Sequence, residues 1–503
     1  MLGMQRIFGS ALLTAALVCA TPLPVAPAAP NVAAAQANWG SCLPIVDGAE
    51  QAPGAQCAML TVPIDYDAPG AGVARIAVVR VPATGQRLGA LLVNPGGPGA
   101  SAVDTVVAMG SALAGSPINT HFDLVGFDPR GVGYSQPLLR CLTDAEFDAW
   151  RREPMADYSP AGVARIEALN KQYADRCAAK TGTAVLAHVG TREAARDMDE
   201  VRKMLGDEQI NYLGFSYGTR IGTEYVNRFG PRVRAMVLDG AIDPSAGPLD
   251  AILHQMAGFQ SAFDDFAADC ARSADCPLGT DPSQANARYR QLVDPLVTRP
   301  ARTADPRGLS YADAITGTFN ALYSPQLWRY LTRGLTGLAR GTDPGDLLTL
   351  ADEYQGRDRS GHYTNAQDAF NAIRCVDAPW PTDPAVWAGL DAEVREAAPF
   401  AAYGSHTGRA PRDICSFWPV PPTSSPAPAT AAEPGQVVVV STTGDPATPY
   451  QAGVSLARQL GGSLVTFQGT QHTAVFNGNE CLDTTVLAFL IDGKTPPSGL
   501  RCG

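Results

Sequence analysis

An α/β fold with a mostly parallel sheet and a large helical insertion is the class this sequence predicts, on three observations. Short apolar runs of strand length alternate with helix-patterned stretches over residues 74–244 and again over 436–490, the sequence form of parallel strands joined by helical crossovers. From about 245 to 415 the strand patterns stop and helical ones continue, with Trp and Tyr scattered through them, so a helical segment interrupts the sheet-forming chain. The run Ile210-Asn211-Tyr212-Leu213 ends in Gly214-Phe215-Ser216-Tyr217-Gly218, and a helical pattern follows. That is a serine on a sharp strand-to-helix turn. Crowding from the strand and the helix favours glycine at the flanking positions.

At 503 residues and 45% hydrophobic content, the chain is long enough for one large α/β domain with an insertion, or for two or three domains. A formal net charge of −11 excludes nucleic acid as a natural partner. No Walker loop, H-E-x-x-H or C-x-x-C motif occurs, so the chemistry is expected to need neither metal nor cofactor. Residues 1–37 read as an export signal. One basic side chain precedes an apolar stretch over 7–20, which is too short to cross a bilayer, and Ala35-Gln36-Ala37 offers a cleavage site before Asn38. A retained anchor is the alternative. No later stretch is long and apolar enough to span a membrane, so the mature chain is expected to be secreted or associated with the cell envelope. Of 11 cysteines, Cys19 falls in the signal and ten remain. An even number in an exported chain predicts disulfides, with nearest neighbours in sequence as the simplest pairing.

The elements follow in order. Residues 74–81 read as an early strand, and 90–94 as a short apolar one leading into Pro95-Gly96-Gly97-Pro98-Gly99-Ala100-Ser101. This loop is too rich in Gly and Pro for regular structure, and its amides are free to point at a ligand. A strand over 122–127 runs into Asp128-Pro129-Arg130-Gly131-Val132-Gly133-Tyr134-Ser135. Residues 138–190 look helical and polar, and 191–205 form an amphipathic helix with acid–base pairs at helical spacing. After the Ser216 turn, 233–239 is another strand. The insertion then occupies 245–434, ending in a Pro/Ala/Ser-rich connector, and reads as a helical cap. Strands over 436–442 and 463–467, with helices ending at 460 and spanning 482–490, complete the sheet-forming part. The domain boundaries are therefore 1–37 for the signal, 38–244 and 435–503 for the two halves of the core, and 245–434 for the cap with its connector.

A serine nucleophile needs a histidine base, and the base needs a carboxylate to fix its tautomer. Of the six histidines, only His472 directly follows a late strand on a Gly-containing loop, and Asp445 follows the preceding strand in the same manner. Both loops belong at the C-terminal edge of the parallel sheet, beside Ser216, where such sheets bind ligands. The amide of Tyr217, directly after the serine, faces the place where an oxyanion would form.

Four segments carry a resemblance: Asn94-Pro95-Gly96-Gly97-Pro98-Gly99, residues 128–135, Gly214-Phe215-Ser216-Tyr217-Gly218-Thr219, and Gly444-Asp445-Pro446-Ala447-Thr448-Pro449. With the order Ser216, Asp445, His472, the chain resembles the exported actinobacterial tripeptidyl-aminopeptidase-like serine hydrolases. These are relatives of the prolyl aminopeptidases within the α/β-hydrolase fold, and the similarity covers nearly the whole mature chain. The resemblance implies an acyl-enzyme on a Ser216–His472–Asp445 triad and release of short peptides, tripeptides in this family, from a peptide or protein with a free N-terminus. In that geometry Gly97 is the second oxyanion donor beside Tyr217, with Gly96 as the fallback. Pro95 stands where prolyl aminopeptidases carry histidine, which weakens any transfer of prolyl specificity. Asp128 and Arg130 read better as an internal ion pair shaping the loop than as substrate contacts. An aminopeptidase also needs a carboxylate for the substrate ammonium. Asp377, in the otherwise apolar run 372–380 next to Cys375, is the candidate, against a purely backbone-capping role for the same side chain. Two competing readings keep the fold: a carboxylesterase or lipase on the same triad, and an inactive hydrolase fold serving as a binding protein.

Overall fold

Period-two alternation of aliphatic side chains along each predicted strand builds one sheet with two buried faces. The structure, a computed structural model, describes residues 38–503 apart from 44, 47, 49–51 and 53; the expected signal segment 1–37 lies outside the described residues. Ten strands, β1 (Gly40–Ser41), β2 (Gln56–Pro63), β3 (Val73–Val81), β4 (Gly89–Asn94), β5 (Phe122–Phe127), β6 (Ile210–Phe215), β7 (Val233–Asp239), β8 (Val437–Thr442), β9 (Ser463–Phe467) and β10 (Arg501–Cys502), lie in the order β1-β2-β3-β5-β4-β6-β7-β8-β9-β10. Pairing is antiparallel among β1, β2, β3 and β5, and parallel from β5 through β10. The seven strands β3 to β9 are those the sequence predicts; β1 and β2 at one end of the sheet and β10 at the other are additions.

The alternation sorts side chains cleanly. Ala90 and Leu92 of β4, Ile210 and Tyr212 of β6, and Val437 and Val439 of β8 enter one core cluster. Leu91 and Val93, Leu213, and Val438 and Val440 enter the cluster on the opposite face. The chain runs from β4 outward to β5 and then back across to β6 on the other side of β4. The loops leaving β4 and β6 therefore diverge, and open α/β sheets bind ligands in the crevice at such a switch point. The Gly-rich loop follows β4 and Ser216 follows β6, so topology alone puts them at that crevice.

Between β7 and β8 the inserted segment contributes seven α-helices, from Pro248–Cys270 to Pro384–Ala397. They do not share one core. Phe259, Phe263, Phe266, Tyr289, Leu331, Leu335, Leu347 and Phe400 make a separate aromatic-rich cluster, with Phe263 and Phe400 stacked at 4.6 Å. The helix Ala366–Asp377 instead buries Ala369, Ala372, Ile373 and Val376 in the cluster that covers the sheet. Arg151, from the helix Asp144–Arg152, ties the two regions together, donating to Asp313 Oδ1 at 2.8 Å and Asp352 Oδ1 at 2.6 Å. Five disulfides, Cys42–Cys57, Cys141–Cys177, Cys270–Cys276, Cys375–Cys415 and Cys481–Cys502, use all ten remaining cysteines in nearest-neighbour pairs, as the sequence predicts. Among the described residues no helix is long and apolar enough to cross a membrane.

Candidate active site

Ser216 stands between the end of β6 and the helix Tyr217–Phe229 with φ 54° and ψ −123°. That backbone is strained for a non-glycine residue and is held by its surroundings. The Ser216 amide donates to Asp239 O at 2.8 Å, and its carbonyl accepts the Thr219 amide at 2.9 Å and the Thr219 hydroxyl at 2.6 Å. Close approach explains the glycine after it. A methyl group on Gly218 would come within 2.6 Å of Asn94 O and 2.9 Å of Asn94 Oδ1, so β4 and the helix Tyr217–Phe229 pass close together at backbone level.

The Gly-rich loop packs directly on this turn. Gly96 has φ +94°, and a methyl there would lie 2.5 Å from Phe215 O, 2.8 Å from Tyr217 N and 3.0 Å from Ser216 Cβ. The Gly96 amide is committed to Asn94 Oδ1 at 3.0 Å, so of the two glycines the sequence offers as donors it is the one already engaged.

His472 and Asp445 meet across their two loops. His472 Nδ1 lies 2.9 Å from Asp445 Oδ1 and 3.0 Å from Oδ2, with the two side chains 11% and 0% exposed. The loop after β8 fixes the carboxylate. Oδ1 accepts the amides of Ala447 and Thr448 at 2.9 and 2.8 Å, and Oδ2 accepts the Thr448 hydroxyl at 2.9 Å. The inserted helices close on both loops. The His472 amide donates to Tyr323 O at 2.9 Å, the Tyr323 ring meets the imidazole edge-on at 5.3 Å, and Gln255 Nε2 donates to Ala447 O at 3.0 Å. Burial pushes the His472 pKa down, but the charge and hydrogen bond of Asp445, with the charge of Asp239 behind it, outweigh that and leave it raised.

Residues 89–479 match the alpha/beta hydrolase fold family. The chain belongs to that family. Carboxylesterase B of Mycobacterium tuberculosis is 62% identical to this hydrolase over 95% of its chain and 91% of the relative's. Serine protease Hip1 of the same organism is 55% identical over 89% and 87%. The tripeptidyl aminopeptidase of Streptomyces lividans is 30% identical over 89% and 83%. With these relatives, the hydrolase stands among the tripeptidyl-aminopeptidase-like serine hydrolases.

Two sequence expectations fail on geometry. Asp377 does not face the crevice. It is 2% exposed, its Oδ1 accepts the Thr191 amide at 2.8 Å, and its Oδ2 accepts the Thr191 hydroxyl at 2.5 Å and the Tyr217 hydroxyl at 3.1 Å. The carboxylate thus caps the helix Thr191–Leu205 from outside and moors the Tyr217 side chain. Both carboxylate oxygens are engaged by groups of this chain in a site closed to solvent, away from any substrate ammonium. Asp128 and Arg130 do not pair with each other. Asp128 accepts the Val103 and Tyr134 amides at 3.1 and 2.9 Å and the Ser101 hydroxyl at 3.0 Å, shaping the end of the Gly-rich loop. Arg130 makes a bidentate bridge to Asp197 at 2.9 and 2.7 Å. Burial, resisted by those donors, pushes the Asp128 pKa up to about 7.

Sequence reasoning missed Asp239, Thr448 and Tyr323. Thr448 was legible as an Asx-type turn three residues after Asp445, where a short polar side chain bonds the backbone ahead of it. Tyr323 and Asp239 carry no local signal, since each acts on a loop far away in sequence.

Proposed function

We propose that this protein is an exported serine peptidase that removes short peptides, tripeptides above all, from free N-termini through an acyl-enzyme. The observation that carries the chemistry is His472 held by Asp445 on the loops next to a serine with strained φ. Ser216 Oγ attacks the scissile carbonyl as His472 Nε2 takes its proton; His472 then gives that proton to the leaving amine, and water repeats the cycle on the acyl-enzyme. Asp445 keeps the Nδ1–H tautomer and stabilises the imidazolium. The Tyr217 amide, at the first position of a helix where no intrahelical acceptor exists, and the Gly97 amide receive the developing oxyanion; the bond from Gly96 to Asn94 favours Gly97 over its neighbour. The names of the 55% and 30% identical relatives support peptide bonds as substrates. The even set of disulfides supports export.

Ester hydrolysis on the same triad is the second reading, favoured by the name of the 62% identical relative. A panel of p-nitroanilides of free and N-blocked mono-, di- and tripeptides, set against p-nitrophenyl esters, separates the two. The proposal expects the free tripeptide anilide to have the highest kcat/KM among the amides and N-blocking to abolish the advantage. Turnover of esters with no amide cleaved, free or blocked, establishes the esterase reading instead. An enzyme inert to every substrate and to a fluorophosphonate would be an inactive hydrolase fold.

A further inference from the structure

Behind the base stands a second carboxylate that the proposed chemistry does not use. Asp239 closes β7 and is 0% exposed. Its two ends serve two loops. The main-chain carbonyl accepts the Ser216 amide at 2.8 Å. The carboxylate Oδ2 accepts the Ala474 amide at 2.7 Å and the Val475 amide at 2.8 Å, the second and third residues after His472. Among the described residues no donor reaches Oδ1. A buried, half-satisfied carboxylate is an expensive way to close a strand. The pairing of β7 with β8 does not need it, because backbone makes that ladder.

The loop that Asp239 holds is itself strained. Thr473 and Phe476 have φ of 63° and 61°, conformations that persist only where surrounding contacts over-determine them. The two amides bound by Asp239 lie between these residues. Gly240, next after Asp239, has φ +68°, and a methyl there would lie 3.1 Å from His472 Cε1, so the chain passes close beside the imidazole only as glycine. The charged groups that face Asp239 are Asp445 and His472. Burial pushes the Asp239 pKa up to about 6; the two amides and His472 oppose the rise, and Asp445 adds to it.

We propose that Asp239 is a positioning residue that locks nucleophile and base together. Its main chain fixes Ser216, its carboxylate fixes the strained 473–476 loop that follows His472, and its negative charge favours the imidazolium that forms as His472 takes the serine proton. This rests on the Ser216–His472–Asp445 reading above. Asp239 makes no bond to substrate and takes no proton in the cycle.

The test compares Asp239→Asn and Asp239→Ala with wild type in the full exported protein. The second-order rate of labelling by a fluorophosphonate is measured from pH 4 to 9, with a melting curve for each variant. Asn keeps an oxygen for the two amides and loses the charge. Its acid limb is expected to move down by roughly half a unit to one unit, with a plateau within about tenfold of wild type. Ala loses the acceptor as well, and its plateau is expected to fall on the order of 10²-fold, the scale of a displaced catalytic group. A role in stability alone would lower the folded fraction and leave the limb of the folded enzyme where it was. An unmoved limb in the Asn variant therefore overturns the proposal, whether or not the Ala variant folds. Ser216→Ala, assayed in parallel, separates the two readings. If it still labels, the triad assignment has failed; if it does not label while the Asp239→Asn limb is unmoved, only the role of Asp239 has.

Discussion

Replacing Asp377 distinguishes a carboxylate that supports the turn and helix at Ser216 from one that binds a substrate amine. In Asp377→Ala the Thr191 amide loses its acceptor at 2.8 Å, and a buried donor left unmade costs about 1–3 kcal/mol. The Thr191 and Tyr217 hydroxyls still have each other at 2.6 Å, so their loss is limited to the charge-assisted part of two bonds, about 1.5–3 kcal/mol. Arg220, whose Nε lies 3.9 Å from Asp377 Oδ2, is 25% exposed and keeps its bond to the Asp377 carbonyl, so water and backbone absorb much of that change. The sum is about 2.5–6 kcal/mol of destabilisation, which spans the range for breaking a buried charged contact. Urea unfolding of wild type and variant measures it, and kcat/KM of the folded variant is compared for a free-amine tripeptide anilide and a small neutral ester. The structure predicts a lower midpoint and the same fractional change on both substrates. A midpoint equal to wild type, together with a loss confined to the free-amine peptide, would refute the supporting role and restore Asp377 as the amine site.

Three further outcomes follow from the same geometry. Asp445→Asn should keep the fold and lower kcat on the order of 10⁴-fold, because the amide stabilises the wrong imidazole tautomer; steady-state kinetics on any turned-over substrate checks it. Gly96→Ala places a methyl 2.5 Å from Phe215 O and 2.8 Å from Tyr217 N, so it should spread the Gly-rich loop from the turn and cost at least about 10²-fold in kcat, the scale of one lost oxyanion donor, with the melting temperature reporting any wider damage. The pH profile follows from His472, whose pKa lies above its ordinary 6.5. As the proposed base, His472 must be neutral, so kcat/KM should fall as pH drops through a midpoint raised from the ordinary histidine value, and Asp445→Asn should carry that midpoint to lower pH.

Much of this site was legible because strand ends and short motifs are local. The Ser216 turn, the Gly-rich loop after β4, and the loops carrying Asp445 and His472 each follow a strand that its own apolar run reveals, and parallel strands deliver such loops to one edge. What stayed hidden is what depends on partners far away in sequence. The run around Asp377 shows which residues of its helix are buried but not which layer buries them. Ile373 and Val376 pack under the sheet's covering helices instead of in the aromatic cap cluster. Asp239 looks like any strand-terminal aspartate until the 473–476 loop folds back onto it. Strand β2 escaped because Cys57, Met59 and Thr61 blur the alternation that marks the central strands.

The proposed chemistry of this hydrolase stands or falls with Ser216 as its nucleophile. Mass spectrometry of the protein after treatment with a fluorophosphonate tests it most directly. One adduct per chain is expected, mapped to Ser216, with no adduct on Ser216→Ala and hydrolytic activity about 10⁶-fold lower in that variant. An adduct on a different serine, or turnover by Ser216→Ala near the wild-type rate, would contradict it.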